Sequence, residues 1–140
     1  MGCDIDLYLD LKIDGEWKGA EYYIVERVYT LFALMANVRN NRDEIIPISE
    51  SKGWTNYISD KFKNIQEEET VGDFHSHSFL NRFEIKQLIT RYNQIYGYNP
   101  DEDCPNDLIR GLAPELFDEI YKYLDDENIE DVCLIFRFYD

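Results

Sequence analysis

The chain is short of positive charge. Its 140 residues carry 14 Lys and Arg against 29 Asp and Glu, a formal net charge of −15. A duplex nucleic-acid binder needs a basic footprint, and an anionic membrane surface attracts the same kind of patch. The composition therefore speaks against both as partners of the surface as a whole. No apolar run reaches the roughly 18 residues of a membrane helix, and the N-terminus lacks a signal-peptide pattern. Cysteine is scarce: Cys3, Cys104 and Cys133 are widely spaced and odd in number. Without a CxxC pair, neither a disulfide framework nor a cysteine zinc site is indicated, and reduced cytosol is the expected compartment. Met1-Gly2-Cys3 has the opening of an acylated protein, but Asp6 stands where myristoylation favours Ser or Thr. There is no Gly-rich phosphate loop and no convincing Ser-His-Asp or Cys-His set.

Apolar and aromatic residues are plentiful, at 44% and 15%. A chain of this size and composition can bury a real core, and residues 1–140 read as one domain. Asp4 to Ile13 alternates strictly, with Ile5, Leu7, Leu9, Leu11 and Ile13 on one side. Period two over ten residues is a half-buried strand. Asp14-Gly15 reads as a hairpin turn, with Trp17 to Val25 returning. Val28 to Asn41 reads as a helix with Leu31, Leu34, Met35 and Val38 inward. A weaker helix is expected over Gly53–Glu68. A stronger one runs from Asn81 to Tyr96, where Asn81 and Glu84 have capping-box spacing. Leu108–Leu112 reads as one helical turn, and Pro114 sits at the first position of a last helix through Leu124. Val132 to Phe138 is a final strand. The expected class is α+β: a small antiparallel sheet of the N-terminal hairpin and C-terminal strand, its one face covered by about four helices.

The acidity is uneven. Residues 1–26 have net charge −5, residues 27–98 are neutral, and residues 99–140 have −10. If the terminal strands pair, both acidic stretches reach one side. Asp101, Glu102, Asp103, Asp125, Asp126 and Glu127 then form a candidate partner surface for a basic protein face. Strand carboxylates such as Asp4, Asp6 and Asp10 also repeat on a scale similar to nucleic-acid phosphates.

The two histidines of the chain, His75 and His77, lie in Asp73-Phe74-His75-Ser76-His77-Ser78. In an extended segment Asp73, His75 and His77 point to one face. Imidazole and carboxylate suit zinc, manganese or iron, so a divalent metal is a candidate cofactor, with Asp4 and Asp6 as further ligands. The ordinary alternatives are a structural corner for the histidines and a solvated strand face for the aspartates. A second ligand reading uses Arg27, Arg39 and Arg42 of the neutral middle together with His75 and His77. Arg39 and Arg42 are three apart and share an expected helix face, and with Tyr or Trp nearby the arginines suit a phosphorylated small ligand such as a nucleotide. Helix-end arginines favourable to the dipole are the alternative there.

Several resemblances follow from these residues. Asp73-x-His75-x-His77 resembles the opening motif of amidohydrolases and of polymerase-and-histidinol-phosphatase phosphoesterases. His75-Ser76-His77 also resembles the His-Ser-His-Pro segment of JAMM-type metalloproteases, although Ser78 replaces the Pro. Over the whole chain, Met1-Gly2-Cys3-Asp4-Ile5-Asp6, Tyr29-Thr30-Leu31-Phe32-Ala33, Val38-Arg39-Asn40, Ile46-Pro47-Ile48-Ser49 and His75–Ser78 together resemble a family of small bacteriophage proteins. Those typically open Met-Gly-Cys-Asp-Ile-His, where this chain has Asp6. The phage resemblance implies expression in the cytoplasm of an infected bacterium. It leads to an accessory protein acting by binding against host defence, with a basic host-protein surface or a nucleotide immune signal as target. The alternatives are a small metal-dependent hydrolase or phosphoesterase that uses the histidine segment, and a structural phage component.

Overall fold

The computed structural model describes residues 2–23, 25, 27–40, 45–53, 55, 58–68, 74–96 and 113–139. Four strands build one antiparallel sheet: β1 (Asp4–Ile13), β2 (Glu16–Tyr23), β3 (Phe74–Leu80) and β4 (Asp131–Tyr139). Their spatial order is β2-β1-β4-β3. Among the described residues the helices are α1 (Tyr29–Ala36), α2 (Asp60–Glu68), α3 (Arg82–Tyr96) and α4 (Ala113–Leu124). The class is α+β, with β1 of the expected hairpin and the C-terminal strand at the centre of the sheet and β2 and β3 at its edges. Among the described residues no helix is long and apolar enough to cross a membrane.

The β1–β2 connection is made by Asp14 and Gly15, both at positive φ (51° and 78°). That is the geometry whose twist matches paired strands, and it favours Asp-Gly. The long β1–β4 pairing runs from Asp4 opposite Tyr139 to Lys12 opposite Asp131. Cross-strand partners share a face. Ile5, Leu7, Leu9 and Leu11 therefore line up with Phe138, Phe136, Leu134 and Val132 on one side. On that side α1, α3 and α4 supply Leu31, Phe32, Leu34, Ile85, Leu88, Ile89, Tyr92, Leu116 and Ile120 to one buried cluster. Phe32 meets Phe138 at 5.1 Å between ring centroids and Tyr92 meets Phe117 at 5.3 Å, distances at which aromatic edges and faces attract.

The helices do not all cover one face. Tyr8, Cys133 and Ile135 point the other way and form a second cluster with Phe62 of α2. The Phe62 ring lies 4.9 Å from Tyr8. Alternation in β1 predicts a wet second face, but α2 buries it. Gly19 makes this approach possible: a Cβ there would meet Ser59 Oγ at 2.8 Å and Phe62 Cε2 at 2.9 Å. Residues that weaken β2 as a strand thus let α2 sit down on it.

Two helix boundaries differ from expectation for local reasons. α1 stops at Ala36 because Asn37 takes the left-handed conformation (φ 58°) and donates its amide to Ala33 O, a common helix stop. α2 begins at Asp60, not near Gly53. Residues 48–53 form an irregular segment instead: the Ile48 amide donates to Leu34 O and the Gly53 amide to His77 O. The latter contact covers part of the free edge of β3. At the start of α3 the capping box forms as expected. The Glu84 amide donates to Asn81 Oδ1 at 2.9 Å, and the Asn81 amide to Glu84 Oε1 at 3.1 Å. The Leu108–Leu112 turn lies outside the described residues.

Candidate functional site

The aspartates of β1 face away from the main core, as their alternation requires, but they are not a solvated row. Asp6 and Arg137 are cross-strand partners, each 3% exposed. Arg137 Nε donates to Asp6 Oδ2 at 3.1 Å and the Tyr22 hydroxyl donates to Oδ1 at 3.2 Å. The guanidinium carbon sits 3.4 Å from the centre of the Phe74 ring. Asp4 is held differently, by Arg27 Nε at 2.8 Å and Nη2 at 3.1 Å. This pair is more open to water, and hydrogen bonding from Arg27 keeps the Asp4 carboxyl below its ordinary range. Asp10 is fully buried. It accepts the Ser59 amide through Oδ2 at 2.5 Å, while Oδ1 has no hydrogen-bond partner among the described residues. Ser59 O receives the Lys63 amide, so Asp10 places its carboxylate at the N-terminus of α2, the end that favours negative charge. Burial still raises the Asp10 carboxyl above its usual value, against the pull of Ser59. Across from it, the Cys133 thiol is pushed up to about 12, by burial and then by Asp10.

The histidine segment forms β3, but not with both rings on one face. His75 pairs with Phe138 and Ser78 pairs with Phe136, so two residues, Ser76 and His77, oppose Arg137 alone. This is a β-bulge, with Ser76 at φ 54°. The extra residue reverses the alternation. His75 stays on the Phe138 side, ring against ring at 6.2 Å, with Nδ1 2.9 Å from Ser76 Oγ. His77 falls beside Arg137, and its pKa is lowered by burial, then by Arg137 and His75. The reading of His75 and His77 as same-side ligands is therefore corrected, because simple strand periodicity has no place for the bulge. Asp73 lies outside the described residues. Among the described residues no three His, Cys, Asp or Glu side chains gather as a metal site. Asp4 and Asp6 are instead engaged by arginines.

The expected arginine pair also changes. Arg39 lies beyond the end of α1 at φ 57°, with its guanidinium 5.8 Å from the centre of the Tyr29 ring. It occupies no helix face, because Asn37 has already ended the helix. Arg42 lies outside the described residues.

Asp125, Asp126 and Glu127 are exposed, as are Glu130, Asp14 and Glu16. The Gly15 amide donates to Glu130 Oε1 at 3.0 Å and the Glu130 amide donates to Lys12 O at 2.8 Å. These bonds tie the hairpin tip to the turn before β4. Carboxylates separated by more than a hundred residues thus share one corner. Asp101, Glu102 and Asp103 lie outside the described residues.

Sequence reasoning missed one surface feature. Pro47 and Ile48 form, with the outer side of α3, a groove of about 600 Å³ that includes Phe83, Lys86, Thr90 and Arg91. Its signal was available: α3 carries Arg82, Lys86 and Arg91 but only Glu84 as an acid. It also missed the Asp6–Arg137 pair, although an Arg inside the apolar run of β4 calls for a partner once that strand is central. Comparison with protein-family models, with curated proteins and with solved structures yields no match.

Proposed function

We propose that this protein acts by binding, and that its acidic corner engages a basic surface on a partner protein. The observation that carries this reading is the union of the hairpin tip with residues 125–130 through the Gly15–Glu130 and Lys12–Glu130 bonds. Six exposed carboxylates on two short turns, held by the β1–β4 pairing, make a fixed negative patch. Such a patch speeds encounter with a basic face and favours it over acidic competitors. The engagement of Asp4, Asp6 and Asp10 further supports binding over hydrolysis, since Arg27, Arg137 and Ser59 already hold these carboxylates. The phage resemblance makes a host protein concerned with defence the expected class of partner.

The test is affinity capture from bacterial lysate with wild type, with Asp125→Lys/Asp126→Lys/Glu127→Lys, and with Asp60→Lys as a control on the opposite side of the sheet. The reading requires an identified protein with a basic surface. Wild type and the control must retain it, rising salt must weaken it, and the triple variant must lose it. Equal capture by the triple variant would overturn the reading.

A further inference from the structure

The groove along α3 carries charge opposite in sign to that of the chain. Its floor and walls are Pro47, Ile48, Phe83, Lys86, Thr90 and Arg91, with Gln87 and Gln94 completing the rim. No carboxylate lines it among the described residues. The nearest acid in sequence, Glu84, is already bound by Lys52 Nζ and by the Asn81 amide. Lys86 and Arg91 form no ion pair among the described residues.

The apolar part is as unusual as the charge. Phe83 is 79% exposed, and Ile46, next to Pro47, is 74% exposed. The core side of α3 is supplied by Ile85, Leu88, Ile89 and Tyr92, so Phe83 contributes nothing to that packing. The loop wall is not slack: the Ile48 amide donates to Leu34 O at 2.8 Å. Phe83, Lys86, Thr90, Arg91 and Gln94 recur at helical spacing and form a continuous outward stripe. From Phe83 to Gln94 it extends about 16 Å at the α-helical rise, roughly the length of five extended residues.

From this we infer that the groove is a second binding site, for an acidic protein segment that carries apolar side chains. Charge complementarity chooses the acidic occupant: Lys86 and Arg91 attract carboxylates and repel a basic segment. Phe83 and Ile48 offer apolar contact for side chains placed between those carboxylates, and the length suits a peptide better than a single small anion. No residue of the groove belongs to the acidic corner, although Arg82, next to Phe83, donates to Ile129 O within that corner at 2.9 Å. Separate variants test the two sites, so one can fail without the other. The protein would then join a basic partner on one surface to an acidic segment on another.

Fluorescence anisotropy with a labelled decapeptide of alternating Glu and Leu tests this on the full chain. Wild type should bind it, more weakly as salt rises, and Lys86→Glu/Arg91→Glu should weaken binding by about tenfold or more. Phe83→Ser should also weaken it, with an unchanged unfolding midpoint because the ring is exposed. A Lys/Leu decapeptide and an all-Glu decapeptide serve as controls. Absence of Glu/Leu binding, unchanged affinity in the double variant, or equal binding of the all-Glu peptide would overturn the inference. So would binding of adenosine monophosphate at the groove in place of the peptide. Sedimentation velocity adds one more overturning outcome: self-association abolished by the double variant, without peptide binding, would assign the groove to a second copy of the chain.

Discussion

Arg137→Met is the most informative perturbation of the fold. It removes one half of an ion pair in which both residues are 3% exposed. Among the described residues, the donor left to Asp6 would be the neutral Tyr22 hydroxyl. Removing one partner of a buried pair leaves an uncompensated charge and costs about 3–5 kcal/mol. Loss of the guanidinium from the Phe74 ring, now 3.4 Å away, adds roughly 0.5–2 kcal/mol. Domain stabilities are on the order of 5–15 kcal/mol, so the variant should be severely weakened, with a Tm lower by roughly 10–20 °C. Asp6→Leu should cost a similar amount by stranding the guanidinium. Asp6→Leu/Arg137→Met should recover much of the loss, because an apolar replacement of a buried pair is often close to neutral. Urea unfolding of the four proteins, followed by circular dichroism, gives the coupling energy of the cycle. The reasoning requires at least about 2 kcal/mol of coupling. Single losses below about 1 kcal/mol, or a double variant as weak as the sum of the singles, would refute it.

Three further outcomes are expected. Gly19→Ala should destabilise by about 1–3 kcal/mol, as overpacking does, because its Cβ would fall within 3 Å of Ser59 and Phe62; a neutral result in urea unfolding would mean that α2 does not seat there. Burial raises the folded carboxyl of Asp10, so the folded chain binds the extra proton between the ordinary value of 3.8 and the raised one. Wild type should therefore gain stability relative to Asp10→Asn as pH falls from neutral through that window, and a pH-independent difference between the two would contradict the assignment. With its thiol at about 12 and 3% exposure, Cys133 should resist Ellman's reagent at pH 8 in folded Cys104→Ser protein and react fully in urea. Cys3, also buried, should behave alike, and rapid labelling of either would count against the packing.

Much of the fold was legible because its signals are local. The ten-residue alternation of β1, the Asp14-Gly15 turn, the apolar run of β4 and the Asn81–Glu84 box each depend on backbone geometry within a few residues. Legibility failed where a distant element decides the outcome. Asp10 reads as a wet strand residue, yet α2 arrives from fifty residues away and buries it. Gly19 reads as a weakness, although it gives Phe62 room. His75 and His77 read as a same-side pair, but the bulge at Ser76 puts them on opposite sides of β3. Arg39 is a local exception: it reads as helical, but the left-handed Asn37 two residues before it ends α1 first.

The sequence by itself determined the class of fold, the net charge of −15 and its concentration at the two ends, because composition and short-range periodicity are properties of the chain. Only the tertiary structure decided what those charges do. Pairing β1 with β4 turned Asp6 and Arg137 into a buried couple and drew the hairpin tip to residues 125–130, whereas α3 kept a groove that no carboxylate lines among the described residues. Electrostatic roles depend on distance and on access to water, and both are set by contacts between residues far apart in the chain.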